Sequence, residues 1–262
     1  MGYLNQKATY LKWLFLISII MESEIIYGIR PIIEATRANI KIDKIWLLKD
    51  KKNLLFKEVE EYAFKKKIDL IFTSNKKLDK LSKKNHQGAA ALIEPVKYFN
   101  FESLIEKNIK KKKQVYLLLD GITDVRNFGA IFRNSLATGV NGIIVPESNS
   151  ASINSDTIKA SAGAIFYVPI SKVNHLNDAI YELKSRDFEI IGLDEKSGIN
   201  IFNESFNTKT VLILGSEGKG INKSTLNILD KKVCIPMLGE IKSLNVSVAC
   251  GVSLYHIIRN CS

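Results

Sequence analysis

The run Val115-Tyr-Leu-Leu-Leu119 constrains the fold of this chain more than any other feature, because consecutive apolar residues of this kind suit a strand covered on both faces. Such strands belong to parallel sheets with helices packed above and below. The rest of the second half repeats the theme. Strands are predicted at 142–145, 166–169, 189–193, 211–214 and 233–236. Helices are predicted between them at 127–138, 154–162, 176–185, 223–229 and 246–259. Gly139 suits the left-handed position that ends the first of these helices. This alternation implies an α/β fold with a mostly parallel sheet, whose ligand pockets open at the carboxyl ends of the strands.

The first half reads as a smaller α/β unit. Tyr27-Gly-Ile-Arg-Pro-Ile-Ile-Glu-Ala35 predicts a short helix that Pro31 can start. A strand at 45–48, a helix at 55–66, a strand at 68–72, a short helix at 78–81 and a strand at 89–95 follow. The expected organisation is an N-terminal extension at 1–22, a small unit at 23–98, a basic linker at 99–113 and a larger domain at 114–262. The linker is plainest at Glu106-Lys-Asn-Ile-Lys-Lys-Lys-Lys113, a charge run that cannot bury itself.

Charge separates the two halves. Residues 1–113 carry 24 Lys and Arg against 13 Asp and Glu, while residues 114–262 carry 14 of each. A compositional drift toward lysine would raise both halves, so the asymmetry points to a basic head that meets a polyanion. The three cysteines, Cys234, Cys250 and Cys261, show no paired spacing, and the three histidines are scattered. Neither a metal site nor a disulfide framework is expected, and the chain reads as a protein of the reducing cytoplasm. The apolar run from Leu11 to Met21 is too short to span a bilayer. No small-residue cleavage site follows it, so residues 1–22 read as a dispensable extension, with a membrane anchor as the minor alternative.

Three segments place polar residues inside apolar surroundings at strand ends. They are Leu119-Asp-Gly-Ile-Thr-Asp-Val-Arg-Asn-Phe-Gly-Ala-Ile-Phe-Arg-Asn-Ser135, Leu212-Ile-Leu-Gly-Ser-Glu-Gly-Lys-Gly-Ile221 and Ile235-Pro-Met-Leu-Gly-Glu-Ile-Lys-Ser-Leu-Asn-Val-Ser-Val-Ala-Cys-Gly251. The second fits neither GxxxxGK[ST] nor GxGxxG, so triphosphate and dinucleotide fingerprints are missing. Its glycines let the backbone turn tightly and approach a ligand. Taken singly, Asn127, Ser243 and Asn245 read as helix caps and Glu217 as a surface residue.

In this order and spacing the three segments resemble the motifs of the SpoU (TrmH-like) family of RNA ribose 2′-O-methyltransferases. The resemblance implies a C-terminal SPOUT domain, a parallel sheet with a deep trefoil knot, preceded by a small L30e-like α/β RNA-binding domain. It implies S-adenosylmethionine as cofactor, with backbone contacts at Gly215, Ile235 and Leu244. By position, Asn127, Arg133, Glu217, Ser243 and Asn245 match the polar active-site residues. Asn127 is expected to orient Arg133, and Glu217 to hold Asn127, Arg133 or a backbone donor. Arg133 is either the base that takes the ribose proton or, since a guanidinium stays charged, a fork on the neighbouring phosphate.

His86-Gln-Gly-Ala-Ala-Ala91 and Tyr27-Gly-Ile-Arg-Pro31 are similar to the small domain of the family's ribosomal-RNA branch, which methylates guanosine in 23S ribosomal RNA. Arg30 replaces the histidine frequent there, and Val125-Arg126 stands where proline is common in the wider family. The expected function is methyl transfer to the ribose 2′-hydroxyl of a guanosine in 23S ribosomal RNA by a homodimer joined through the C-terminal domain, with no metal and no membrane. A transfer-RNA enzyme of the same family and a non-catalytic ribosome-binding factor are the alternatives.

Overall fold

The structure, a computed structural model, describes residues 23–51, 53–83 and 85–261; the extension expected at 1–22 lies outside the described residues. Two compact units meet in sequence at Val96 and Lys97.

The first unit is a four-stranded sheet with helices. Its elements are β1 (Glu24–Tyr27), α1 (Ile29–Arg37), β2 (Ile42–Leu48), α2 (Leu54–Lys66), β3 (Asp69–Thr73), α3 (Asn75–Leu81) and β4 (Ala89–Ile93). The strand order is β1-β4-β2-β3, with β2 and β3 parallel and β4 antiparallel to both its neighbours. In α1, Ile29, Ile32, Ile33 and Thr36 are buried, the spacing that sets one helical face on a core. Pro31 occupies the third helical position, where an N–H has no partner within the helix. Two differences from expectation have local causes. The sequence reading missed β1, because a four-residue edge strand is shorter than the helix that follows it. It also began β2 three residues late, at Ile45, because Asp43 and Lys44 interrupt the apolar pattern at an irregularity of pairing.

The second unit holds α4 (Phe101–Glu106), β5 (Gln114–Asp120), α5 (Val125–Thr138), β6 (Gly142–Pro146), α6 (Ser155–Ala160), β7 (Ile170–Val173), α7 (Leu176–Ser185), β8 (Glu189–Leu193), β9 (Lys209–Gly215), α8 (Lys223–Leu226), β10 (Lys231–Val233) and α9 (Val246–Asn260). All pairings in its six-stranded sheet are parallel, in the order β10-β8-β9-β5-β6-β7. Every residue of β5 is buried, as its unbroken apolar run requires. Tyr116, Leu118, Ile144, Ile180, Leu183, Ile190, Val211 and Ile213 form one core with residues of α4.

That last contact corrects the expected linker. Phe101, Leu104 and Ile105 are buried in the core of this unit, with α4 capped by Asn100 through the N–H of Ser103 at 3.0 Å. The lysines at 110–113 remain exposed, as a charge run should. The strand expected at 166–169 lies instead at Ile170–Val173. Gly163, with φ 86°, turns the chain into a short 3-10 helix at Ala164–Phe166. Pro169 has no N–H to donate, and pairing with β6 starts at its carbonyl, which accepts from the N–H of Ile143 at 2.9 Å. The strand expected at 233–236 stops at Val233; Cys234 pairs instead with Ile199 and Ile201, and from Ile235 the chain runs along the cavity described below.

Cys250, buried within α9, has its thiol pushed up to about 12 by burial, against a weak opposing hydrogen bond from Asn134. Between its ordinary value near 9 and about 12, the folded protein keeps a proton that the unfolded chain releases, so stability falls as pH rises through that window. At neutral pH an alkylating reagent on the native protein is expected to modify the half-buried Cys234 and to spare Cys250. Peptide mapping checks this, and equal labelling of both would show that α9 opens.

Candidate active site

The strand order reverses direction at β5. The chain moves outward through β6 and β7, then returns to build β8 and β9 on the other side, so β5 and β9 are neighbours whose following loops diverge. A crevice forms at such a switch point. Asp120 ends β5 opposite Gly215, which ends β9. Beside the end of β9, and continuing past the ends of β8 and β10, lies a cavity of about 670 Å³.

Six of the eight residues singled out by sequence line this cavity: Gly215, Glu217, Ile235, Ser243, Leu244 and Asn245. Its apolar walls include Leu214, Ile221, Leu226, Met237 and Ala249. Tight closure of the loop after β9 forms one side. The N–H of Ser216 donates to the carbonyl of Gly220 at 3.0 Å, and the N–H of Gly220 returns to the carbonyl of Ser216 at 2.9 Å. A Cβ on Gly215 would stand 2.1 Å from the backbone of Gly220 and Ile221, so only glycine permits this closure. The volume is that of a small-molecule pocket, and its mixture of apolar side chains and turning backbone fits the adenosyl group and side chain of the cofactor implied by the resemblance. Among the described residues, no group of His, Cys, Asp and Glu is arranged to hold a metal ion.

At one edge of the cavity three polar side chains from distant segments meet. Asn127 Nδ2 donates to Glu217 Oε1 at 2.8 Å, and Asn245 Nδ2 donates to the same oxygen at 3.0 Å and to Asn127 Oδ1 at 3.0 Å. Asn245 also caps α9, its Oδ1 accepting from the N–H of Ser247 at 3.0 Å and from the Ser247 hydroxyl at 2.6 Å. Cap and site are therefore the same residue. Asn127 is no cap: α5 is capped by Asp124, whose Oδ1 accepts from the N–H groups of Arg126 at 2.9 Å and Asn127 at 3.0 Å. Those backbone donors, that of Asn127 first, hold the Asp124 carboxyl below its ordinary range. The cap stays charged at neutral pH and is lost only as pH falls through that lowered value.

Arg133 stands apart from this cluster. It is exposed on α5, does not line the cavity, and forms no hydrogen bond or ion pair among the described residues. The expected link from Asn127 to Arg133 is absent because the Asn127 amide is committed to Glu217 and Asn245. Six residues further along a helix also lie about 120° around its axis, on another face.

Two residues that hold the site together escaped the sequence reading. Asp120, buried at the end of β5, accepts from the N–H and side-chain amide of Asn222; this anchors the far side of the loop after β9. On α5, Asn134 Nδ2 donates to the carbonyl of Ser247 at 2.6 Å, which clasps the first turn of α9 and so positions Asn245. The Asp at the end of an apolar strand was a visible signal for the first. Nothing in the spacing reveals the second.

Comparison with known proteins gives the family and the fold. Residues 114–255 match the SpoU rRNA Methylase family, and residues 25–99 match the RNA 2′-O ribose methyltransferase substrate binding domain. A Staphylococcus aureus protein named for the TrmH family of tRNA/rRNA methyltransferases is 34% identical over 240 residues, covering 91% of this chain and 97% of its own. The fold is shared with the SpoU methyltransferase AviRb from Streptomyces viridochromogenes, solved in complex with the cofactor AdoMet: TM-score 0.77, 22% identity, 91% of this chain and 90% of that one. The A. aeolicus TrmH/SpoU tRNA modifying enzyme matches 61% of this chain and 81% of its own, with TM-score 0.52 and 33% identity.

Proposed function

Because the chain belongs to the SpoU rRNA methylase family, we propose that it is an S-adenosylmethionine-dependent enzyme that methylates the ribose 2′-hydroxyl of a guanosine in 23S ribosomal RNA. The observation that carries the reading is the convergence of the loops after β9 and β10 on one cavity, with Asn127, Glu217 and Asn245 joined at its edge. When bound, the cofactor supplies a methyl group on a sulfonium, which is already activated for transfer to an oxygen nucleophile.

The protein's own work is then mainly placement, which can supply several kcal/mol of a transfer barrier. Gly215, Ile235 and Leu244 would hold the cofactor from the cavity wall. Glu217 fixes the two amides, so that Asn127 and Asn245 present a rigid rim beside Ser243. To Arg133 we assign the phosphate next to the target ribose, because an exposed guanidinium stays charged and makes a planar fork rather than a base. The trefoil knot, the homodimer and the cytoplasmic setting belong to the same proposal. Exposed Val248 and Tyr255 on α9, with Leu136 on α5, supply an apolar surface for a second copy. Light scattering at micromolar concentration should give twice the chain mass; a monomer would remove the dimer.

Titration calorimetry with S-adenosylmethionine is expected to show binding, and mapping of ribose methylation across ribosomal and transfer RNA, with and without the protein, should lose one 23S guanosine. Loss of a transfer-RNA mark instead would favour the transfer-RNA alternative, which the A. aeolicus relationship keeps in view. No cofactor binding by a folded sample would favour a non-catalytic ribosome-binding factor.

A further inference from the structure

We propose that the first unit takes one unpaired nucleotide of its RNA substrate in the cleft at the carboxyl ends of β2 and β3, a step that rests on the RNA-methyltransferase reading above. Parallel strands open ligand crevices at their carboxyl ends, and β2 and β3 are the parallel pair of this sheet. A cavity of about 420 Å³ lies there, bounded by Lys51 after β2, Asn75 and Lys83 on one side, and the loop Asn85 to Gly88 that leads into β4.

The floor of the cleft is rigid. His86 is buried, accepts at Nδ1 from the N–H of Gly88 at 3.0 Å and, in the neutral form this requires, donates from Nε2 to Asp79 Oδ1 at 3.0 Å. Gln87 is held at φ 55° and Gly88 at φ 88°. A Cβ on Gly88 would press on Lys51 at 3.1 Å and Leu48 at 3.2 Å. A non-glycine residue at positive φ costs stability and persists only where its surroundings enforce it. Here the enforced turn leaves the Gln87 side chain exposed at the cleft, and Lys51 Nζ ties down the Gln87 carbonyl at 2.8 Å.

The chemistry of the walls selects the ligand. The exposed amide of Gln87 presents a donor beside an acceptor, the complement of a base edge; Asn75, whose Nδ2 donates to Asp79 Oδ2 at 3.3 Å, and Asn85, whose Oδ1 accepts from the N–H of Gln87 at 3.3 Å, frame it. Lys51 and Lys83 offer charge to a phosphate. An A-form RNA duplex keeps its most informative base edges in a deep, narrow major groove that side chains do not reach, so amide readout of RNA works mostly on splayed, unpaired bases. A cavity of this size suits one nucleotide.

The test uses the full chain with purified 23S ribosomal RNA, and transfer RNA in parallel. Lys51→Ala with Asn85→Ala is compared with Lys65→Ala and Lys66→Ala, two lysines at the far end of α2, about 20 Å of helix away. The cleft pair is expected to weaken RNA binding at least tenfold at fixed salt, raise the RNA KM with kcat retained, and leave S-adenosylmethionine affinity unchanged. Asn85→Ala alone should already show the effect, and ultraviolet crosslinks should map to residues 75–88. A cleft pair that loses no more than the far pair would mean a diffuse electrostatic surface and would overturn the cleft. The same cleft dependence on transfer RNA would support the cleft and move the substrate. Cofactor binding without affinity for either RNA would overturn the function proposed above and the cleft together.

Discussion

Gly215→Ala is expected to lower affinity for S-adenosylmethionine at least about a hundredfold, which corresponds to about 2.7 kcal/mol, while the protein stays folded. The added methyl would lie 2.1 Å from the backbone of Gly220 and Ile221, so the loop after β9 must move, and it cannot do so by a side-chain rotation. Moving it breaks the paired Ser216 and Gly220 hydrogen bonds and displaces one wall of the cavity. The core below, built on Leu118, Val211 and Ile213, is untouched. Unfolding should therefore shift down by about 2 to 12 °C, in line with about 1 to 3 kcal/mol for overpacking. Calorimetry and thermal melting separate the two effects. Affinity within threefold of the original would show that the cavity wall is not where the cofactor rests.

Arg133→Ala should give the opposite pattern: cofactor affinity unchanged and methyl transfer reduced at least about a hundredfold, the loss that misplacing a reacting group by about 1 Å can cause. The expectation follows from its position, exposed on α5 and outside the cavity lining. Arg133→Lys should fall between, since an ammonium keeps the charge but not the fork. Turnover equal to the unaltered protein would take Arg133 off the list of residues that meet the RNA.

Much of the second unit was legible because its constraints are local. The run ending at Leu119 could only be a strand covered on both faces, and the glycines after Leu214 could only be a tight turn. The residues grouped by resemblance at 215, 217, 235 and 243–245 do line one cavity. What the sequence hid was decided by partners far along the chain. Phe101, Leu104 and Ile105 sit beside a lysine run and looked like part of a linker, but three apolar residues on one turn of helix are enough to dock it. Asn127 looked like a cap because Asp124, three residues earlier, was not weighed as one. The bonds from Asn222 to Asp120 and from Asn134 to Ser247 span 102 and 113 residues, and no local pattern announces them.

The single carboxylate oxygen that grips two amides has a temporal side. Asn127, Glu217 and Asn245 are joined across 90, 118 and 28 residues of chain, and the last of them opens the final helix. During synthesis that junction is missing until α9 has cleared the ribosome's exit tunnel. A site joined in this way is complete only once all three segments have been made and brought together.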